Sequence, residues 1–119
     1  MEFKQITSYT GGNVRGQYDI NIGQKSTYFP NRFKNRYEVG RYIGFFVNSD
    51  LELCFKFSDT PEDGYFTVCN GGVYDNRICK TPNAFARLGV PTGKFSVRKE
   101  GDYFIVEDCK IPDEEYRKL

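Results

Sequence analysis

Cysteine and histidine supply much of the nucleophilic and metal-binding chemistry of proteins, and this chain of 119 residues has four cysteines and no histidine. The spacing of Cys54, Cys69, Cys79 and Cys109 includes no Cys-x-x-Cys pair, which argues against a zinc site. We expect buried or half-buried thiols in a reducing compartment, without bridges or metal. Because Ser–His or Cys–His nucleophiles cannot be assembled here, the sequence favours a non-catalytic protein without a cofactor.

Basic side chains are concentrated in two segments, although the whole chain, with 17 basic and 16 acidic residues, is nearly neutral. Residues 25–41 contain one acid, Glu38, and residues 76–99 contain none. If the two segments meet in space, they form a positive surface that attracts an anionic partner such as nucleic acid; if they disperse, they form an ordinary solvated surface. The candidate binding residues are Arg32, Lys34, Arg36, Arg41, Arg77, Lys80, Arg87 and Lys94.

Aromatic residues are interleaved with the first basic segment, as in proteins that stack the bases of single-stranded nucleic acid. Core packing explains Phe33 and Tyr37, which would share the buried face of a helix. Tyr28 and Tyr42 therefore remain as candidate stacking residues.

The elements that position these residues are mostly strands. Alternation of apolar and polar residues predicts strands over 18–22, 42–48 and 51–57, with a hairpin turn at Asn48–Ser49–Asp50. A turn at 60–64 and the apolar pattern after it predict a further strand over 65–69. We expect long helices to be absent.

Two short helices are predicted, each opened by a proline. The first runs from Pro30 towards Gly40 and is the longer; it sets Arg32 and Arg36 on one face, so we expect it to contribute more to binding than the second. The second follows Pro82 for about two turns, with Thr81 as its cap and Gly89 at its end.

The helices belong to a pattern that occurs twice. Pro30, Asn31 and Phe33 match Pro82, Asn83 and Phe85 at a separation of 52. The strand residues Phe45, Val47, Leu53 and Phe55 match Phe95, Val97, Tyr103 and Ile105 at a separation of 50. We interpret residues 19–58 and 73–108 as repeats within a single domain of residues 1–119, and residues 109–119 as an acidic tail; chance similarity of two hairpins is the alternative.

The second repeat, "RICKTPNAFARLGVPTGKFSVRKEGDYFIVED", resembles the AbrB-like swapped-hairpin unit of bacterial regulators and antitoxins. Pro82 stands at the helix start, Leu88, Gly89 and Val90 at its end, Gly93 in the link and Gly101–Asp102 in the last turn. The resemblance implies two interleaved hairpins in a small barrel whose basic face meets DNA. The family's basic residue after the helix-opening proline is replaced by Asn83, and the first repeat lacks the Leu-Gly ending.

These observations predict an α+β, mostly β fold in which two tandem strand-helix-hairpin repeats close a small pseudo-twofold barrel. The preferred function is binding of nucleic acid, or of a complex that handles nucleic acid, as in a transcription regulator. The alternative is an inhibitor or accessory protein of a phage or mobile element that binds a host protein, for example a defence nuclease, without contacting DNA. Without an export signal or a membrane span, we expect a cytoplasmic monomer or homodimer with no membrane partner.

Overall fold

The computed structural model describes residues 18–71 and 76–119 and is mostly β, with 44% of residues in strands and 16% in helices. The strands are β1 (Ile20–Ile22), β2 (Ser26–Phe29), β3 (Tyr42–Val47), β4 (Glu52–Ser58), β5 (Phe66–Thr67), β6 (Cys69–Asn70), β7 (Arg77–Lys80), β8 (Gly93–Phe95), β9 (Val97–Glu100) and β10 (Tyr103–Lys110). The helices are α1 (Asn31–Arg36), α2 (Ala84–Leu88) and α3 (Asp113–Arg117).

The strands form two antiparallel sheets. Sheet A has the order β6-β7-β2-β1-β8, and sheet B has the order β5-β3-β4-β10-β9. The core lies between them and is built largely from phenylalanine: Phe29, Phe33 and Phe55 are completely buried, and the rings of Phe55 and Phe104 stack with their centres 5.1 Å apart. Strands with one buried and one exposed face account for the alternation seen in the sequence.

The chain passes from one sheet to the other at two corners. At one corner β5 of sheet B continues through Val68 into β6 of sheet A, and at the other β8 of sheet A continues through Ser96 into β9 of sheet B. Asp19 holds the second corner, because its backbone N–H donates to the Phe95 carbonyl at 2.9 Å and its Oδ2 accepts from Val97 N–H at 2.8 Å. The strand pairing of the described residues gives two sheets and does not close the predicted barrel.

Helix α1 is shorter than predicted, because Tyr37 leaves the helical conformation with φ −132° and ψ 153°. The predicted helix towards Gly40 is therefore wrong beyond residue 36. The Tyr37 ring still contacts Phe33, with the centres 5.0 Å apart, so the predicted aromatic pair forms at the helix end.

Helix α2 ends as predicted at Gly89, whose φ of 75° lies in the left-handed region that glycine adopts without strain. The predicted cap is wrong. Asn83 occupies the N-cap position, while the Thr81 hydroxyl is buried and donates to the Gly23 carbonyl at 2.9 Å.

The matching of the two hairpins at a separation of 50 is wrong by one or two residues. Phe45 faces Phe55 in the first hairpin, and Val97 faces Val106 in the second, so the core-facing pairs lie 52 and 51 residues apart. Tyr103, which the repeat pattern matched to the buried Leu53, is 40% exposed. A slip of one residue exchanges the two faces of a strand, so Phe104 faces the core instead. The predicted start of the second repeat, residues 73–75, lies outside the described residues.

The C-terminal segment differs in part from the predicted tail. Cys109 and Lys110 belong to β10, and Ile111 is buried, with its N–H donating to the Leu51 carbonyl. The acidic residues that follow form the first turn of α3. All four cysteines are free thiols; Cys54, Cys79 and Cys109 are buried, whereas Cys69 is exposed instead of buried or half-buried.

Candidate nucleic-acid interface

The outer face of sheet A, which points away from the core, brings together three of the predicted binding residues. Thr27 and Phe29 point inward from β2, so Tyr28 points outward, with 40% of its surface exposed. Tyr28 lies opposite Asn21 on β1, which lies opposite Lys94 on β8. Neighbouring strands are about 4.8 Å apart, so Lys94 and Tyr28 are about 10 Å apart along this row.

Lys80 lies on the other side of Tyr28. Tyr28 pairs with Ile78 on β7, and Lys80 is two residues further along the same strand, on the same face and opposite Ser26. This diagonal position across a strand pair is within reach of long side chains. An exposed aromatic ring thus stands between two exposed lysines.

Charges are distributed unequally between the sheets. The strands of sheet A carry Arg77, Lys80 and Lys94 and no Asp or Glu within the described residues. The strands of sheet B carry basic and acidic residues in equal number: Glu52, Lys56, Arg98, Lys99, Glu100, Glu107, Asp108 and Lys110. Sheet A therefore presents a positive face, and sheet B a face of mixed sign.

Tyr18 connects the two basic segments of the sequence. Arg32 at the start of α1 donates from Nη1 to the Tyr18 carbonyl at 3.4 Å, and the Lys94 ammonium lies 4.9 Å from the centre of the Tyr18 ring. Arg32 and Lys94 thus approach the same residue from the two segments. The hydrogen bond is long and exposed, so it positions Arg32 only weakly.

Lys34 and Arg36 point elsewhere, towards an open cleft of about 970 Å³ between the end of α1, the end of β4 and the turn between β9 and β10. Lys56 and Lys99 also line this cleft, and the sequence did not single them out. Its aromatic surface includes Tyr37 and Phe104, whose rings meet edge to face at 5.0 Å. The Arg36 guanidinium lies 5.2 Å from the centre of the Tyr37 ring, and the Lys99 ammonium lies 5.8 Å from that of Phe104.

The cleft has charges of both signs, with one more basic than acidic residue. Three carboxylates, those of Glu38, Asp59 and Asp102, line it together with the four basic residues. A polyanion would meet these carboxylates as well as the cations, so the cleft is less suited to nucleic acid than the outer face of sheet A.

The remaining predicted residues do not join either group. Arg41 is an exposed residue before β3, and Arg87 is exposed on α2. Arg77 is half-buried opposite Phe29 at the start of β7. Tyr42 is half-buried in β3 between Ser58 and Thr67, which makes it a poorer stacking platform than Tyr28.

Alternation within single strands could have indicated one of the missed residues. Lys56 occupies an outward position in β4, but its neighbour Tyr103 comes from β10, and only the pairing of the sheet brings them together. Lys99 points inward by alternation, yet it lies beyond the core, over the ring of Phe104. No local pattern in the sequence predicts that position.

These features define a class: a small, mostly β protein of two antiparallel sheets, one of which presents a basic outer face with an exposed tyrosine. No protein family, curated protein or solved structure matches the chain. Among the described residues, no helix has the length and apolarity needed to cross a bilayer, and no group of three His, Cys, Asp or Glu side chains is arranged to hold a metal ion.

Proposed function

We propose that this protein binds single-stranded nucleic acid across the outer face of sheet A. The observation that carries the proposal is the position of Tyr28, exposed between Lys94 and Lys80 on a sheet whose described strands contain no carboxylate. Lysine ammonium groups neutralise phosphates, and an exposed tyrosine ring stacks on a base of any identity. Arg32, beside Tyr18 and Lys94, extends the basic face towards α1.

The biological role that we propose is that of a cytoplasmic transcription regulator. In this proposal the chain contains two copies of an AbrB-like swapped-hairpin unit, which arose by internal duplication. The strand order supports this proposal, because β2 and β7 are neighbours at the middle of sheet A, while β4 and β10 are neighbours in sheet B. Each of these pairs joins one strand from either repeat, as a pseudo-twofold axis between the repeats requires. Phe33 and Phe85, from the two helices, belong to the same core.

Fluorescence polarisation with a labelled single strand of DNA or RNA, across a series of salt concentrations, tests the interface. The double variant K80A/K94A should bind more weakly and should lower the dependence of log K on log salt by about 1.4 units, since each phosphate contact with a single strand contributes about 0.7. The control K110A/K118A removes the same charge from β10 and the C-terminus, so it should leave binding nearly unchanged. Y28S should weaken binding while leaving the salt dependence unchanged.

Binding by wild type at low salt is the first requirement, and its absence would refute the nucleic-acid proposal. Equal losses in K80A/K94A and in K110A/K118A would indicate general attraction between charges and would exclude sheet A as the interface.

The cleft favours a second candidate function, which is inhibition or modulation of a host protein. Its four basic and three acidic residues over an aromatic surface suit a protein partner with charges of both signs. A phage or mobile-element protein that binds a defence nuclease would be of this kind. Capture from a bacterial lysate by wild type, but not by R36A/K99A, followed by inhibition of the captured nuclease, would support this function over the first.

A further inference from the structure

The outer face of sheet B carries a cluster of three aromatic rings, the exposed Phe46 and Tyr103 and the half-buried Tyr65, here called the aromatic patch. Phe46 is 37% exposed and Tyr103 40%, and their rings meet edge to face with the centres 5.5 Å apart. Phe46 also meets Tyr65 at 6.1 Å. Contiguous exposed aromatic surface on a small protein commonly marks a contact with another macromolecule.

The patch is ordered by the sheet beneath it. Gly44 on β3 leaves room for the Tyr65 ring, since a Cβ at that position would stand 2.5 Å from the Tyr65 Cε1 atom. Cys54 and Ile105 lie in the cross-strand row that contains Phe46, and both are only 3% exposed although they are on the outer face. The rings therefore form a preformed apolar surface that needs little reorganisation to bind.

Opposite charges flank the centre of the patch. Lys56 on β4 places its ammonium 5.3 Å from the centre of the Tyr103 ring, and Glu100 lies opposite Tyr103 on β9. Tyr103 is therefore the middle of a row, with a cation on one neighbouring strand and a carboxylate on the other; neighbouring strands lie about 4.8 Å apart. No carboxylate of the described residues lies within ion-pair distance of Lys56.

This arrangement is complementary to itself. Consider a twofold axis that runs parallel to β10 and lies in the plane of the contact. Rotation by 180° about this axis places the Lys56 side of one copy over the Glu100 side of the other. Lys56 of one copy then opposes Glu100 of the other, and the two Tyr103 rings meet on the axis. A twofold contact requires this kind of self-complementary surface.

We propose that the Tyr103 end of the aromatic patch, flanked by Lys56 and Glu100, is the centre of a contact between two copies of this chain, packed face to face about a twofold axis that runs along β10 through Tyr103. Arg98 on this face is ion-paired with both Glu52 and Glu100, so the face has charges of both signs and suits a polyanion less well than the outer face of sheet A. The dimer leaves the outer face of sheet A exposed on both copies, and the proposal does not depend on what that face binds.

Sedimentation velocity over a range of concentrations, together with light scattering, tests the contact. Wild type should form a dimer as its concentration rises, and Y103S should weaken the dimer at least tenfold by removing the central rings. K56E and E100K should each weaken it at least tenfold, because each places like charges opposite one another. The control R87E changes an exposed charge on α2, outside sheet B, and should leave the dissociation constant unchanged.

Pairing of the charge variants tests the axis itself. An equimolar mixture of K56E and E100K should form heterodimers, since the glutamate introduced in one copy faces the lysine introduced in the other, while the native Glu100 and Lys56 face each other in the second contact. The variant K56E/E100K should recover the homodimer, because opposite charges again face one another. Circular dichroism should show each variant folded, and the charge variants keep the test valid if Y103S does not fold.

A wild type that stays monomeric at every concentration would overturn the proposal, as would a dimer that is unaffected by K56E and E100K. Failure of the mixed variants to associate would also overturn it, because the proposed axis requires that pairing. If Y103S lowers the affinity for nucleic acid while wild type remains monomeric, the patch belongs to a nucleic-acid surface instead.

Discussion

The buried hydroxyls of Thr27 and Thr81 lie 2.8 Å apart and hydrogen-bond to one another, although 54 residues separate them in the chain. Thr81 uses its proton to donate to the Gly23 carbonyl, so Thr27 is the donor between the two hydroxyls. The pair joins β2 of the first half to the segment between β7 and α2 of the second half.

Thr81→Val should destabilise the protein more than Thr27→Val. Valine at position 81 leaves the Thr27 hydroxyl and the Gly23 carbonyl without their partner, which costs about 1–3 kcal/mol in the free energy of unfolding. Valine at position 27 removes a donor and leaves the bond from Thr81 to Gly23 intact, so we expect less than about 1 kcal/mol. Urea unfolding of both variants measures the difference, and equal losses would show that the order of donors is wrong.

Acid should destabilise the protein in part through Glu52. The hydrogen bond from Arg98, followed by that from Asn48, lowers the pKa of Glu52 below its ordinary value of 4.5. A lowered pKa means that the unfolded chain binds the proton more tightly, so this contribution to stability is present above pH 4.5 and is lost as the pH falls through the lowered pKa.

The difference in unfolding free energy between neutral pH and a pH below the lowered pKa should therefore be smaller in Glu52→Gln than in wild type. Arg98→Gln should also reduce the dependence of the unfolding free energy on pH, because it removes the principal cause of the lowered pKa of Glu52. Unchanged pH dependence in both variants would show that the ion pair does not persist in solution.

Native protein should expose one reactive thiol. Cys69 is exposed, whereas burial raises the pKa of the Cys79 thiol to about 12 and that of Cys109 to about 11, and also raises the pKa of Cys54. The thiolate is the reactive form, so the three buried cysteines should react only when the protein unfolds.

Titration with a disulfide reagent at mildly alkaline pH, without reductant, should count one thiol in the folded protein and four after unfolding. C69S should show no reactive thiol in the folded protein and three after unfolding. Two or fewer thiols in unfolded wild type would contradict the prediction that the cysteines are unbridged.

Helix α1 should contribute more to nucleic-acid binding than α2. Its two arginines, Arg32 and Arg36, face different surfaces and should contribute unequally. R32A/R36A should lower the affinity, chiefly through the loss of Arg32, with a melting temperature close to that of wild type because exposed charges contribute little to stability. Between the single variants, R32A should lose more than R36A, since Arg32 adjoins Tyr18 and Lys94 whereas Arg36 lines the cleft.

Arg87→Ala on α2 is the matched control and should weaken binding least of the three. If R36A loses more than R32A, the cleft rather than sheet A is the interface. A large fall in the melting temperature of R32A/R36A would show that the arginines are structural.

The strands of the first hairpin and the helix starts could be predicted from local sequence. Alternation placed all four ends of β3 and β4 within one residue of their observed positions, because a strand with one buried face must repeat every two residues. Pro30 and Pro82 precede their helices, and Gly89 ends the second, because these residues restrict or permit backbone angles regardless of their surroundings. The turn at Asn48 forms as predicted, with its side-chain oxygen accepting from Asp50 N–H and Glu52 N–H.

Pairing between distant strands could not be predicted in the same way. The sequence indicated continuous strands over 65–69 and across Ser96, but each bends and continues as an edge strand of the other sheet, so that the chain covers both ends of the core between the sheets. The separation of 50 between the hairpins was wrong because apolar residues stand on both faces of β10, and only the pairing with β4 decides which of them face the core.

For the candidate sites too, local sequence gave the residue types and the tertiary structure gave their grouping. The sequence by itself determined which residues are basic or aromatic and which strand or helix carries most of them. Only the tertiary structure decided that Tyr28, Lys80 and Lys94 share a face without carboxylates, that Lys34 and Arg36 turn to a cleft with Lys56 and Lys99, and that Phe46 and Tyr103 meet on the opposite sheet. The physical reason is that local patterns specify the alternation of a strand, whereas its neighbours are chosen by the burial of the whole core.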